Sequence, residues 1–250
     1  MNFVLSPRYS DDARILGQAA RLQGWQVVKL ESSDIPEALK HQECRLYAEG
    51  FLAEFLAENL GLTLVRPDDD CLARLEAEFL KRHVSFHNAV TFERPEQTTF
   101  IKPADQKLFA VGVYEPDEPI PGLEQLEPND PILVSDAVSF KREYRFFVYN
   151  LEVQTGSIYL LDGSVPQVEV GYAGEGDDFW LEAYTFAQKV CSETDIELPE
   201  SFVLDVGLLD SDEWAVVEFN PTWASGIYGC DPYAVLKCLE ASQKPSDSSS

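Results

Sequence analysis

The chain has 250 residues, of which 45% are hydrophobic and 12% aromatic, and this composition supports a folded core and excludes wholesale disorder. Its formal net charge of −25 repels phosphate backbones and argues against nucleic acid as a partner. A nucleotide site would have to be a local cationic pocket in an anionic body.

The five cysteines are odd in number and include no Cys-x-x-Cys pair, which favours reduced thiols in a cytosolic protein. The first residues show no basic region followed by an apolar run. No apolar stretch reaches the roughly 18 residues that span a bilayer. We therefore expect a cytoplasmic protein without a membrane partner, and the sequence leaves the oligomeric state open.

The first 95 residues predict a small α/β lobe. Apolar runs alternate with capped amphipathic stretches, which indicates a β-α-β opening followed by two more helices. The acidic cluster at 67–70 is explained by the dipole of the helix after it rather than by metal binding. The predicted elements are strand 3–6, helix 11–23, strand 26–30, helix 45–59 with the stripe Tyr47, Phe51 and Phe55, strand 62–65, and a helix after residue 70 that presents Leu72, Leu75 and Phe79.

Beyond residue 95 the pattern changes to strands. Runs rich in β-branched and aromatic residues are separated by turn signals, and the stretch 115–131 is loop because it is rich in Pro, Glu and Asp. The composition of the last residues predicts a disordered tail. The predicted elements are strands 98–102, 109–114, 132–140, 144–149, 153–161, 202–209 and 214–219, and helices 179–193 and 233–241.

Three oxygen-bearing side chains form the strongest constellation. Asp205 lies inside an apolar strand, and Glu218 and Asn220 alternate along the strand that is predicted to pair with it. Because residues i and i+2 of a strand share a face, a hairpin can bring all three together. Such hard ligands suit Mg²⁺. A structural polar network is the alternative, and the spacing does not separate the two.

A lysine and a Glu-x-Arg pair are the other signals. Lys102 ends an apolar strand before a proline, so it either reaches into a cleft or lies on the surface, and Lys107 follows in a polar loop. Glu143 and Arg145 share one face of a strand. They form either a simple ion pair or a carboxylate for ribose hydroxyls beside a guanidinium for phosphate.

In chain order these signals resemble the ATP-grasp superfamily. FIKP at 100–103 looks like its phosphate-contacting lysine strand, and ILVSDAV at 132–138 looks like the hinge whose backbone reads adenine. EYRFFV at 143–148 is similar to the strand after the hinge in the glutamate-adding ligases that modify a ribosomal protein. EFN at 218–220 matches the Glu-x-Asn metal motif. The resemblance covers roughly residues 98–240 and is closest to compact bacterial and phage members.

The resemblance implies a mixed architecture, α/β and α+β. An N-terminal α/β lobe (1–95) precedes an ATP-grasp domain (96–242), which divides into a small subdomain (96–134) and a metal-binding subdomain (135–242). ATP lies between antiparallel sheets, and the tail (243–250) is disordered.

The implied activity is an ATP-dependent carboxylate–amine ligase that forms an amide or peptide bond through an acyl phosphate. Mg²⁺ or Mn²⁺ would be required, and the partners would be ATP and small-molecule or peptide substrates. The implied residues are Lys102 and Arg145 for catalysis, Lys102, Lys107, Ser135, Asp136, Ala137, Val138 and Glu143 for the nucleotide, and Asp205, Glu218 and Asn220 for the metal.

The chain departs from the family pattern after the lysine strand. No glycine occurs between Lys102 and Gly112, so the usual glycine-rich loop is absent and a short lid around Lys107 is expected. A non-catalytic ATP-binding module and a small-molecule kinase are therefore alternative interpretations. The sequence does not decide whether Lys81 or Arg82 replaces the usual upstream lysine. Residues expected to help select substrates in the N-terminal lobe are Arg8, Tyr47 and Glu49.

Overall fold

The computed structural model describes residues 1–40, 42–104 and 108–246. The chain begins with a parallel three-stranded sheet of order β2-β1-β3. Helix α1 starts where the Ser10 side chain accepts the N–H of Ala13, and it buries one face on the sheet. The element bounds are β1 (Asn2–Leu5), α1 (Asp11–Leu22), β2 (Gln26–Lys29), β3 (Cys44–Tyr47), α2 (Gly50–Leu60) and β4 (Leu62–Leu64).

The helix predicted at 45–59 is wrong in its first part. Residues Cys44–Tyr47 form β3, which pairs in parallel with β1. Helix α2 buries Leu56, whereas Phe51 and Phe55 are 65% and 51% exposed. The aromatic residues imitate a helical stripe, but pairing with β1 fixes the first of them in a strand.

The helix predicted after residue 70 is two short helices, α3 (Cys71–Arg74) and α4 (Ala77–Leu80). Leu75 lies between them with an extended ψ of 145°. The break does not disturb the predicted apolar set, because the side chains of Leu72 and Phe79, like that of Leu75, are buried in one cluster.

A small antiparallel sheet follows, with the order β5-β8-β6-β7. Alternation along β6 buries Ile101 and leaves Lys102 partly exposed on the other face. Strand β5 belongs to this sheet although it precedes residue 95, and the division of the chain at residues 95 and 134 stays a prediction. The bounds are β5 (Val84–Asn88), β6 (Thr99–Pro103), β7 (Gly112–Tyr114) and β8 (Pro131–Asp136).

A larger antiparallel sheet of order β10-β9-β11-β12 occupies the C-terminal half. The predicted hairpin of the last two strands is confirmed by their register. The mixed α/β architecture with antiparallel sheets is therefore confirmed. The bounds are β9 (Phe140–Tyr149), β10 (Glu152–Leu161), α5 (Trp180–Glu193), β11 (Ser201–Leu209), β12 (Trp214–Asn220), α6 (Pro232–Ala241) and β13 (Gln243–Pro245).

The two faces of the larger sheet have different surroundings. One face carries Phe146 and Leu204 into a core that includes residues of α5. The opposite face carries Phe147 and Val203 into the core of the N-terminal lobe and α6. Side chains alternate along a strand, so residues at even spacing from Phe147 and Val203 share the face that turns toward the N-terminal lobe.

The disordered tail predicted from residue 243 is wrong for its first residues. Strand β13 pairs with β4, and the Gln243 side chain accepts the N–H of Leu46 and donates to its carbonyl at 2.7 and 2.8 Å. Gln243 is buried, so the chain end closes the edge of the parallel sheet. Residues 247–250 lie outside the described part. Among the described residues, no helix has the length and apolar character needed to cross a membrane.

Candidate functional site

Three oxygen-bearing side chains of β11 and β12 converge on the face toward the N-terminal lobe. Asp205 stands opposite Glu218 in the ladder, and Asn220 lies two residues further along β12. The Asn220 amide nitrogen donates to Oδ2 of Asp205 at 3.1 Å and to Oε1 of Glu218 at 2.9 Å. The structure thus brings together the three residues that the sequence singled out as metal ligands.

Arg145 lies beside them on β9, directly opposite Asp205. Its Nε and Nη2 donate to the two oxygens of Asp205 at 2.9 and 2.7 Å, which is a bidentate pair inside the protein. Asp205 is fully buried and Arg145 is 8% exposed. The alternative of a simple Glu143–Arg145 ion pair is therefore wrong, because the guanidinium engages the next strand instead.

Lys102 reaches the same group from the small sheet. Its Nζ lies 2.5 Å from Oε2 of Glu218. Both side chains are mostly buried, so the surface lysine considered from the sequence is wrong. Glu218 thereby joins the two antiparallel sheets.

The surrounding charges set the protonation of the carboxylates. Burial raises the pKa of Glu218, but the charge and hydrogen bond of Lys102 reverse this and bring it to about 2. Burial raises the pKa of Asp205 to about 6 although Arg145 opposes the shift. Burial lowers the pKa of Arg145, but Asp205 more than offsets this and raises it above its usual range. Two carboxylates and two cations therefore face each other at neutral pH.

A cavity of about 260 Å³ opens between the small and larger sheets. Ala137 follows β8, is exposed and is not among the described residues that line the cavity. Burial raises the pKa of Glu143, whose Oε2 accepts the hydroxyl of Tyr159. The sequence-predicted nucleotide residues in its wall are Lys102, Ser135, Asp136, Val138 and Glu143.

The backbone of the hinge is partly used by the sheet. Ser135 is paired on both sides, opposite Val84 in β5 and Phe100 in β6. The N–H of Asp136 donates to the carbonyl of His83 at 3.0 Å. Strand β8 ends there, so residues 137–139 leave the ladder and turn toward β9.

A second cavity of about 890 Å³ lies between the sheets and the N-terminal lobe. Lys102 and Glu218 line both cavities, so they stand where the two meet. Arg8 and Glu49 also line the larger cavity and pair with each other at 3.2 Å. Tyr47 is buried beside it, where its hydroxyl donates to the carbonyl of Ser225 at 3.1 Å.

The acidic cluster before α3 is held by ion pairs. Asp68 and Asp70 each lie 3.0 Å from Arg74, and Asp69 lies 3.4 Å from Arg66. Helix α3 has only four residues, and Asp70 makes no side-chain cap bond. The explanation by a helix dipole is therefore wrong, since the arginines neutralise this cluster directly.

Two tyrosines at the site were missed by sequence reasoning. The rings of Tyr159 and Tyr228 stack on each other, and each centroid lies 5.3 Å from the Arg145 guanidinium. A register shift in β10 between Ile158 and Leu160 brings Tyr159 here, so strand alternation gave no signal for it.

Of the two candidates for the upstream cation, Arg82 lines the smaller cavity. Its guanidinium donates to the carbonyls of Val216 and Val217 at 2.7 and 3.1 Å. Burial lowers its pKa to about 10. Lys81 instead pairs with Glu213 at 3.2 Å. Lys107 lies outside the described residues.

The donor set fits a divalent cation. Oxygens of Asp205 and Glu218 converge on the Asn220 amide, and a 180° turn of that amide would present its oxygen to the same point. No group of three or more His, Cys, Asp or Glu side chains among the described residues could hold a metal by itself. The site fits a cation that takes the rest of its ligands from phosphate and water.

A family model described as an ATP-grasp domain, the second family of its clade, matches residues 79–238, which is more than half of the chain. The chain belongs to this ATP-grasp family. The matched span contains β5 to β12 and most of α6, and with them every residue of the polar cluster between the two antiparallel sheets. The ATP-grasp domain thus includes both cavity-lining sheets. No curated protein sequence matches the chain.

Solved structures similar to this ATP-grasp protein share little sequence with it. N5-carboxyaminoimidazole synthase from Aspergillus clavatus, with ADP and 5-aminoimidazole ribonucleotide, is 14% identical with a TM-score of 0.49, and the match covers 98% of this chain and 78% of that one. D-alanine–D-alanine ligase from Bacillus anthracis, with ATP, is 13% identical with a TM-score of 0.49, covering 97% and 96%. The ATP-grasp ligase PsnB with a minimal precursor is 12% identical with a TM-score of 0.48, covering 91% and 92%.

Proposed function

We propose that the protein is an ATP-dependent ligase that joins a carboxylate to an amine through an acyl phosphate. The observation that carries the proposal is the position of Glu218. It contacts Lys102 of the small sheet, faces Asp205 of the larger sheet and lines both cavities. A nucleotide in one cavity and a substrate in the other would meet at this residue.

The smaller cavity is proposed to hold the nucleoside. Because the backbone of Ser135 and Asp136 is engaged in the sheet, the adenine edge would be read at Ala137 and Val138. Glu143 would accept ribose hydroxyls, with Tyr159 fixing its orientation. Lys102 would hold inner phosphates at the junction, and Lys107 keeps its predicted role of covering them.

Asp205, Glu218 and Asn220 would hold Mg²⁺ or Mn²⁺ against the outer phosphates. A bound cation would supply Lewis-acid polarisation of the transferred phosphoryl group. The two carboxylates are already balanced by Lys102 and Arg145. We therefore propose that the cation binds together with the negatively charged triphosphate rather than before it.

The proposed chemistry has two transfers. An oxygen of the substrate carboxylate attacks the terminal phosphorus, the bond to ADP breaks, and ADP leaves. An amine then attacks the acyl carbon, phosphate leaves with the bonding pair, and the amine nitrogen loses a proton to give an amide. Arg145 lines the larger cavity and would face the charge that develops on the transferred group.

The test is a screen of amino acids and short peptides with ATP and Mg²⁺, read by phosphate release and product mass. Hydroxylamine should trap the activated carboxylate as a hydroxamate. ADP release that requires both a carboxylate and an amine supports the ligase. A stable phosphate ester would instead indicate a small-molecule kinase. Nucleotide binding without ADP release from any substrate would indicate a non-catalytic module.

A further inference from the structure

Asp12 is a half-buried carboxylate that the proposed mechanism does not use. It lies in the first turn of α1, in the N-terminal lobe, and points across to the chain after β12. Its Oδ2 accepts the backbone N–H of Ile227 at 3.1 Å, although the two residues are 215 positions apart. Burial raises its pKa, while the Ile227 bond and the charge of Arg145 oppose this shift.

The bonded loop also holds Arg145. The carbonyl of Gly226, directly before Ile227, accepts Nη1 of Arg145 at 3.3 Å. A Cβ added to Gly226 would lie 3.3 Å from Oδ2 of Asp12 and 3.8 Å from Nη1 of Arg145. Asp12, the Gly226 peptide and the guanidinium therefore pack against one another.

Tyr47 supports the same loop from the end of β3. Its hydroxyl donates to the carbonyl of Ser225 at 3.1 Å and lies 3.4 Å from Oδ2 of Asp12. The two side chains of the N-terminal lobe thus fix three consecutive residues, 225–227. On its other side, Arg145 is held by Asp205 through Nε and Nη2.

We propose that Asp12 is a positioning residue for Arg145. By holding Ile227, it fixes the Gly226 carbonyl and thereby the Nη1 end of the guanidinium, which Asp205 alone does not restrain. The N-terminal lobe would then complete the catalytic geometry of the ATP-grasp domain. The effect on catalysis rests on the proposed function, whereas the effect on the guanidinium does not.

The test uses the full chain labelled with ¹⁵N-arginine and measures hydrogen exchange of the Arg145 side chain by NMR, with Arg145→Lys to assign the signals. In Asp12→Ala, exchange at Nη1 should become at least about tenfold faster, while Nε, bonded to Asp205, stays protected. Asp12→Asn can still accept the Ile227 N–H and should restore slow exchange. Asp11→Ala, an exposed neighbour that pairs with Arg14, is the matched control.

Equal Nη1 exchange in Asp12→Ala and the wild type would overturn the proposal, and so would an Asn variant that behaves like Ala. If Asp12→Ala does not fold, Gly226→Ala decides, because its Cβ presses on Asp12 and should shift the carbonyl and speed Nη1 exchange. Unchanged exchange in Gly226→Ala would then count against the role.

Once a substrate pair is known, kinetics give a second reading. Asp12→Ala should lower kcat on the order of 10- to 100-fold, with the KM for ATP within about twofold, because Asp12 is not in the wall of the smaller cavity. A KM effect alone would contradict the positioning role. Absence of turnover in the wild type would refute the ligase proposal and leave the NMR comparison valid.

Discussion

The Arg145–Asp205 pair shows why single residues at this site affect stability as well as chemistry. A carboxylate that is fully buried remains ionised only because a guanidinium binds both of its oxygens. Removal of either partner leaves an uncompensated charge in the interior. The pair therefore ties the site to the strands that carry it.

Arg145→Ala should lower the free energy of unfolding by about 3–5 kcal/mol, because it leaves Asp205 buried without a partner. Urea denaturation measures this. The double variant Arg145→Met, Asp205→Leu should recover most of the loss while turnover stays low. Arg14→Ala, which removes an exposed ion pair, should change stability by less than about 1 kcal/mol. A loss as small as that of Arg14→Ala would refute the account of the buried pair.

Glu218→Gln should reduce turnover by about a hundredfold or more, because it removes the anionic ligand that Lys102 holds ionised. Steady-state ADP release measures the effect. Glu213→Gln, in the turn of the same hairpin, is the control and should retain normal turnover, since Glu213 pairs with Lys81 away from the cavities. Near-normal turnover in Glu218→Gln would remove Glu218 from the mechanism.

At the scale of elements, strand alternation predicted which side chains share a face. It placed Glu143 and Arg145 together on β9, and Glu218 and Asn220 together on β12, and the structure agrees. It could not predict that Lys102 meets Glu218, because they belong to different sheets and lie 116 positions apart. That contact depends on how the sheets pack, which local periodicity does not encode.

Errors in the elements also have physical causes. Composition predicted disorder from residue 243, but β13 finds an open edge at β4, and buried hydrogen bonds of Gln243 outweigh a weak local preference. The contribution of Asp12 was missed for the same reason. A carboxylate in the first turn of a helix looks like a dipole partner, and its bond to Ile227 arises only in the folded chain.

Gln243→Ala should destabilise the protein by about 1–3 kcal/mol, because it strips both backbone groups of Leu46 of a buried partner. Thermal unfolding, with chemical denaturation to obtain the free energy, measures it. Lys244→Ala, on the neighbouring exposed position, should be within about 0.5 kcal/mol of the wild type. Equal stability of the two variants would show that the buried bonds of Gln243 contribute nothing.

At the scale of the whole molecule, charge is the dominant feature. The chain has 44 acidic and 19 basic residues, so its surface repels itself while the site concentrates cations between two sheets. An anionic nucleotide is then attracted only where Lys102, Arg82 and Arg145 line the cavities. Repulsion elsewhere disfavours polyanions that do not fit the cleft.

Raising NaCl from about 20 mM to about 500 mM should stabilise the fold, because screening weakens this self-repulsion more than it weakens the buried pairs. The expected change is a melting temperature several degrees higher, at about 2–4 °C for each 1 kcal/mol. Differential scanning calorimetry measures it. A melting temperature that falls with salt would show that exposed ion pairs, rather than net repulsion, dominate.

The most direct measurement of the central claim is calorimetric titration of a non-hydrolysable ATP analogue, with and without Mg²⁺, into the wild type and Glu218→Gln. We predict that Mg²⁺ tightens binding to the wild type by about tenfold or more, and that the variant loses this dependence while it still binds the nucleoside. Equal Mg²⁺ dependence in both proteins would contradict a shared metal and triphosphate site at Asp205, Glu218 and Asn220.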